Sequence, residues 1–217
     1  MSNELKKMDN SMLPISESAP ANIVYQQGEK NVHIDHADSV QQNVQMVFMG
    51  FSTAADGTMQ PTYKTINREY YNLFVVGDEL TPNEPFVLTP DRVLPAYWTE
   101  ENVRAEYGSL SAEAIEKIKT FPSLFMAETR KYRAQAEDNE QVFFGFVTDV
   151  RLQGNGFRIR WEAKWPIPMP QIAQIGYDLG MLSMDCAITE MNRTHWSVKH
   201  VNLYDELKLA HISLMGM

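Results

Sequence analysis

The stretch from residue 140 to 170 constrains the fold of this chain more than any other. Two runs rich in β-branched and aromatic residues flank Gly154, Asn155 and Gly156, residue types that adopt the positive φ angles of a tight reversal. In the second run apolar and charged side chains alternate, with Phe157, Ile159, Trp161 and Ala163 on one face and Arg158, Arg160, Glu162 and Lys164 on the other. This period of two predicts an antiparallel hairpin with one buried face and one solvated face.

Composition places the chain among globular proteins and disfavours some functions. Its 217 residues are 44% apolar and 22% charged, with a net charge of −9, which disfavours a basic surface for nucleic acid or anionic membranes. No apolar run is long enough to span a bilayer, and the N-terminus lacks a signal pattern. The single cysteine, Cys186, excludes an internal disulfide and favours a reducing compartment, so we expect a cytoplasmic protein. Because Cys186 lies in an apolar run, we expect a buried, inert thiol.

The N-terminal quarter divides into a tail and an arm. Residues 1–21 are polar and without periodicity, which predicts a disordered tail. Residues 22–52 contain short alternating segments that predict a β-strand arm, whose interaction side chains are Val32, Ile34, Val44, Met46 and Phe48. Such a small β element is barely stable alone, so it must pack on the rest of the chain or pair with another chain. Residues 50–65 are interpreted as the loop that joins this arm to the main domain.

Residues 66–217 form the predicted main domain. Strands are expected at 68–77, at 86–88 and within 191–203, in addition to the hairpin. Helices are expected at 99–107, 111–121, 123–136, 171–179 and 204–212, from caps and apolar spacing. The pattern predicts an α+β fold: a mixed, largely antiparallel sheet or small barrel with three to five helices, plus the N-terminal β arm.

A cluster of possible metal ligands lies in the arm. His33 and Asp35 would share one face of a strand, with His36 beside them, and a third ligand would have to come from His195 or His200. No signature metal spacing is present, and a solvated strand face explains the same residues. We therefore expect neither a metal nor another cofactor.

Arg193 and His195 are the candidates for catalysis. His195 could act as a general base and Arg193 as an anion clamp, in a ligand-sensing or hydrolytic enzyme. The alternative interpretation is structural: the same residues also fit a capped turn that is anchored by Trp196. The chain has no nucleophile elbow, phosphate-binding glycine loop or dinucleotide fingerprint, so an enzyme is the less favoured interpretation.

The aromatic hairpin offers a third possibility. Its first strand partly matches an RNA-recognition signature in which aromatic side chains stack on bases. A single-strand platform would use Phe144, Phe146, Arg158, Arg160 and Trp161. The inside of a small sheet accounts for the aromatic residues equally well, and the acidic total makes nucleic acid an unfavoured partner.

Three segments together resemble a known group of proteins: residues 28–40, residues 70–77, and residues 144–150 with 192–203. They are similar to a family of uncharacterised bacterial proteins carried on mobile elements and in defence-like gene neighbourhoods. The resemblance implies a bacterial or phage origin, and it carries no catalytic role over to any residue of this chain. The segment around Lys30 and Asn31 also resembles polar strands by which some bacterial signalling partners pair. His33, Asp35, His36 and Asp38 interrupt this pattern, which counts against ordered fibrils and leaves ordinary strand pairing open.

We therefore expect a non-enzymatic interaction or assembly module of a bacterial or phage system. It would self-associate or dock on a protein partner through the N-terminal β segment, with no membrane partner.

Overall fold

A six-stranded mixed sheet forms the centre of the computed structural model, which describes residues 47–53, 59–77 and 79–214. A separate two-stranded sheet pairs β1 with β2. The strands are β1 (Val47–Thr53), β2 (Met59–Thr65), β3 (Tyr71–Val76), β4 (Phe86–Leu88), β5 (Pro122–Ala127), β6 (Gln141–Gln153), β7 (Gly156–Pro168) and β8 (His195–Lys199). The order in the large sheet is β4-β7-β6-β5-β3-β8.

Four α-helices connect or follow these strands in the described ranges: α1 (Glu101–Tyr107), α2 (Ala112–Ile118), α3 (Met169–Gln174) and α4 (Leu203–Leu209). The Ser111 side chain accepts from the Ala114 backbone at the start of α2, and Asn202 caps α4 in the same way. Both residues satisfy a helix N–H that would otherwise lack a partner. The expected α+β class, with three to five helices, is confirmed.

The sheet is largely antiparallel and curls into a half-barrel. Only β3 and β5 run parallel among its described pairs, with Leu73 opposite Leu124. The connection between them contains β4, α1 and α2. A parallel pair needs a crossover of this kind, and its two carboxyl ends open at the same edge of the sheet.

The predicted hairpin is confirmed as β6 and β7, which are 13 residues each and joined at Gly154-Asn155. Gly154 has a φ of 59° and supplies the left-handed position of the turn. Register shifts at Phe144/Gly145 and Val147/Asp149 add the local twist that β-bulges produce. They help the long hairpin to bend with the sheet.

Each face of the sheet carries its own apolar core. Leu73, Leu124, Phe144, Ile172 and Tyr204 belong to the core that α3 and α4 cover. The other core, against α1 and α2, includes Phe74, Phe125, Trp161 and Trp196. The Phe74 and Phe125 rings stack with centroids 4.8 Å apart. Since β3 and β5 contribute to both cores, they are buried on both faces.

Three expectations differ from the structure. Residues 123–136 are not a helix, because 122–127 form strand β5. The expected loop at 50–65 is mostly strand, since β1 and β2 pair from Val47↔Thr65 to Thr53↔Met59. Cys186 is exposed, not buried.

The tail (1–21) and most of the proposed arm (22–52) lie outside the described residues. So do Val32, Ile34, Val44 and Met46, whereas Phe48 lies on β1 opposite Lys64.

Candidate functional site

The first candidate, His195, lies inside a buried polar network. His195, Ser197 and Lys199 occupy one face of β8 because side chains of a strand repeat every two residues. All three surround the carboxylate of Glu190, and His195 and Glu190 are fully buried. Glu190 Oε1 accepts from His195 Nε2 at 2.9 Å, from Ser197 Oγ at 3.1 Å and from Lys199 Nζ at 2.7 Å.

The second carboxylate oxygen of Glu190 is satisfied as well. It accepts from the Leu182 backbone N–H at 2.7 Å and from Lys199 Nζ at 2.9 Å. Lys199 also donates to the Trp98 carbonyl at 2.9 Å, and the Trp98 ring lies 5.8 Å from that of His195. The loop that contains Trp98 therefore covers the network.

Electrostatics favour the ionised form of Glu190. Burial raises the pKa of this carboxyl, but the hydrogen bond from His195 and the charge of Lys199 lower it by more. The net result is a pKa below the ordinary glutamate value. The network thus holds a carboxylate against the ammonium group of Lys199.

The arrangement around His195 differs from a hydrolase relay. In a Ser-His-acid triad the nucleophile and the carboxylate meet opposite imidazole nitrogens. Here Ser197 Oγ and Glu190 Oε1 both face Nε2, at 3.2 and 2.9 Å, while Nδ1 donates to the Arg193 carbonyl at 2.7 Å. With a fully buried imidazole and this geometry, the network is part of the core.

The other residues considered with His195 do not join it. The Arg193 side chain is exposed at the surface, and only its carbonyl meets His195. His200 is exposed and stacks on Tyr70, with centroids 4.6 Å apart. The structure therefore brings Glu190 and Lys199 to His195, and not the residues that the sequence suggested.

The aromatic residues of the hairpin are inside the fold. Phe144, Phe146 and Trp161 are 4%, 5% and 3% exposed, and Trp161 stacks on Phe125 with centroids 4.2 Å apart. Arg160 is exposed and Arg158 half-buried. Since base stacking needs an open ring face, these aromatic rings offer no platform for single strands.

The possible metal ligands His33, Asp35 and His36 lie outside the described residues. Within the described ranges, no group of three or more His, Cys, Asp and Glu side chains is placed to hold a metal ion.

A cleft of about 600 Å³ opens where the parallel strands β3 and β5 end. Charged side chains line it: Glu79, Glu128, Arg130, Lys131, Glu137 and Glu140. The Glu128 carboxylate accepts from both the backbone N–H and the hydroxyl of Thr194. Lys131 and Glu137 form an ion pair of 2.9 Å at the exposed rim. The cleft is thus open to solvent, and Glu128, Lys131 and Glu137 in its lining already have partners within the protein.

A sequence feature indicates this cleft, but the helix predicted at 123–136 gave that segment the wrong secondary structure. Read as a strand, residues 122–127 are followed directly by Glu128, Arg130 and Lys131. Charged residues that follow a buried strand mark the edge where ligands bind in parallel sheets.

Two hydrogen-bonded loops beside this edge carry exposed apolar side chains. Tyr132, Tyr177, Leu182 and Ile188 are 68%, 61%, 46% and 40% exposed, and we call them the loop surface. The Arg133 backbone N–H donates to the Ala187 carbonyl at 3.0 Å, which places Tyr132 and Ile188 on adjoining backbone. The Asp185 N–H donates to the Tyr177 hydroxyl at 3.0 Å. Apolar side chains grouped on loops in this way are typical of a contact surface.

Comparison with known proteins gives no assignment: no family model, no curated protein and no solved structure matches the chain. No helix within the described ranges combines the length and apolar character that crossing a bilayer requires.

Proposed function

We propose that this protein is a non-enzymatic interaction module that self-associates, with the loop surface as its recognition face and the N-terminal β segment as a second contact. We further propose that it works in the cytoplasm of a bacterial or phage system, on the basis of the resemblance described above. The observation that carries the proposal is the exposure of Tyr132, Tyr177, Leu182 and Ile188 on two joined loops.

The composition of the loop surface fits a protein contact. Tyrosine is enriched at interfaces because it presents a large apolar area at low cost in conformational entropy. Leu182 and Ile188 add aliphatic area next to the two tyrosines. No catalytic arrangement among the described residues competes for this face.

The loops are held in one conformation, which lowers the entropy lost on binding. Asn192 Nδ2 donates to the carbonyls of Thr129 and Lys131 at 2.6 and 2.9 Å. The Thr129 N–H donates to the Met191 carbonyl at 3.0 Å. These bonds join the loop after β5 to the segment before β8. The recognition face is therefore preorganised.

The β1–β2 sheet supports the second contact. Its two strands pair with each other over seven positions and with no other strand of the described chain. Each strand consequently has an outer edge whose backbone can pair with an added strand. A second copy of the chain would offer the same edge, as a two-fold symmetric contact requires.

Sedimentation equilibrium of the full chain tests the proposal through its mass at increasing protein concentration. We expect a dimer or larger assembly, and a dissociation constant at least about tenfold weaker when all four residues of the loop surface become serine, which corresponds to about 1.4 kcal/mol. The control replaces three exposed apolar residues outside that surface by serine and leaves the mass unchanged: Val87, Leu152 and Leu209, which are 54%, 71% and 73% exposed.

Removing residues 1–65 takes away both the N-terminal segment and the β1–β2 hairpin, and tests the second contact separately. We expect weaker association here as well. A full chain that stays monomeric, or an equal effect of the control and loop-surface variants, rules out self-association through this face.

A further inference from the structure

A cavity of about 480 Å³ lies beside the C-terminal helix α4, away from the loops discussed above. Its walls include Arg68, Tyr204, Lys208, His211, Ile212 and Leu214. The volume falls within the range of small-molecule sites, about 300–1,000 Å³.

Two buried polar atoms in this wall have no hydrogen-bond partner: Nε of Arg68 and the hydroxyl of Tyr204. Tyr204 is only 3% exposed. Buried polar groups in folded proteins nearly always find a partner, so two unpaired groups beside one cavity point to a missing acceptor. Burial raises the pKa of Tyr204, against an opposing effect of Arg68. Its hydroxyl therefore keeps its proton and can donate.

The charge around the cavity favours an anion. Arg68 and Lys208 are cationic, and Asp205 is the acid among the lining residues. Asp205 is already paired with Arg68, from Oδ1 to Nη2 at 2.9 Å. Among the lining residues this pairing leaves no acid for Lys208, in a chain whose net charge is −9.

The floor of the cavity is apolar. Ile212 and Leu214 are 8% and 6% exposed. The turn that ends α4 fixes their position: His211 has a φ of 57°, and the Ile212 N–H donates to the Leu207 carbonyl at 2.8 Å. This is the Schellman arrangement, in which the residue after the left-handed position packs back on the helix.

We propose that this cavity binds a small amphiphilic carboxylate, whose two oxygens accept from Arg68 Nε and the Tyr204 hydroxyl while its apolar body lies on Ile212 and Leu214. Two unpaired donors match the two oxygens of a carboxylate better than the three of a phosphate. Lys208 supplies positive charge at the rim.

Calorimetric titration of the full chain with octanoate tests the site, with octan-1-ol and octylamine as probes of the same apolar length. We expect octanoate to bind at least about tenfold more tightly than octan-1-ol, since a hydrogen bond to a charged group is worth about that factor. We expect octylamine not to bind. Equal affinity for octanoate and octan-1-ol, or no heat with octanoate, overturns the proposal.

Tyr204→Phe removes the hydroxyl and keeps the ring that packs on Phe144. We expect it to weaken octanoate binding about tenfold without lowering the melting temperature of the ligand-free protein, because the hydroxyl has no partner to lose. Tyr97→Phe, at a tyrosine that is 58% exposed, is the matched control and leaves both quantities unchanged. Unchanged octanoate binding by Tyr204→Phe, or a clear drop in its melting temperature, contradicts the assignment of this hydroxyl.

Discussion

Replacing Glu190 by glutamine tests how far the buried network holds the fold together. The carboxylate is fully buried and accepts from Leu182, His195, Ser197 and Lys199. Glutamine keeps the shape but removes the charge, and its amide NH₂ must face donors whichever way it turns. At the same time Lys199, which is 6% exposed, loses its counter-ion.

The expected cost follows from this geometry. Breaking a buried ion pair by removing one partner costs about 3–5 kcal/mol, because the remaining charge stays buried. Folded domains are stable by only about 5–15 kcal/mol, so Glu190→Gln should remove a large part of the total. Glu84→Gln, at an exposed glutamate, is the control and should change stability by no more than about 0.5 kcal/mol.

A double-mutant cycle separates the ion pair from the other hydrogen bonds. Lys199→Met removes the cation, and the double variant Glu190→Gln/Lys199→Met removes both charges. We expect the double variant to be more stable than the sum of the single effects predicts, by about 1–3 kcal/mol.

Urea unfolding at neutral pH, followed by tryptophan fluorescence, measures the wild type, the control and the three variants of the cycle. A loss below about 1 kcal/mol for Glu190→Gln, in the range of surface positions, or strict additivity in the cycle refutes the reasoning.

The same network predicts a dependence on pH. The pKa of Glu190 is lower in the folded protein than in the unfolded chain, so the unfolded chain binds the proton first as the pH falls. The stabilisation by ionised Glu190 is therefore complete above the ordinary glutamate pKa, near about 4.3, and is lost as the pH falls through the folded value. Stability curves of the wild type and Glu190→Gln should converge on acidification. Curves that stay parallel down to the acid transition contradict this assignment.

Three backbone positions give further predictions. Gly145→Ala should cost at least about 3 kcal/mol in urea unfolding, because its Cβ would lie 2.1 Å from the Glu162 carbonyl oxygen. Gly154→Ala, where no atom lies within 4 Å but φ is 59°, should cost only the left-handed penalty of about 1–2 kcal/mol, and equal losses at the two sites contradict this distinction. His211→Gly should stabilise the protein by up to about 1 kcal/mol, because glycine is preferred in the left-handed position after a helix; a lower urea midpoint contradicts it.

The β6–β7 hairpin could be predicted because its signals are local. Residues 157–164 alternate, and the same pattern appears in the structure as buried Ile159 and Trp161 between less buried neighbours. Gly154 at the turn marks the boundary between β6 and β7. Nothing beyond neighbouring residues was needed for this prediction.

Strand β5 could not be predicted in the same way. It lies between β3 and β6 and is buried on both faces, so 122–126 show no alternation. A short apolar run without alternation does not distinguish a strand from a buried helix. The helix predicted at 123–136 was wrong for this reason.

The surroundings of His195 could be predicted only in part. The spacing of His195, Ser197 and Lys199 places them on one face of a strand, which the sequence allowed. This polar face is buried because Glu190 and the loop that contains Trp98 pack against it. Trp98 lies about a hundred residues earlier in the chain than Lys199. No local pattern contains that contact.

The distribution of residue types is the physical reason for favouring an interaction module over an enzyme. His195, Ser197 and Lys199 look reactive in the sequence, yet they are enclosed and paired with Glu190. The residues of the loop surface look like core in the sequence, yet they lie outside on preorganised backbone. An enzyme needs polar groups that a substrate can reach, whereas an interface needs exposed apolar area with little entropy to lose. The loop surface meets the second requirement and supports the proposed interaction module, so association is the property to measure first.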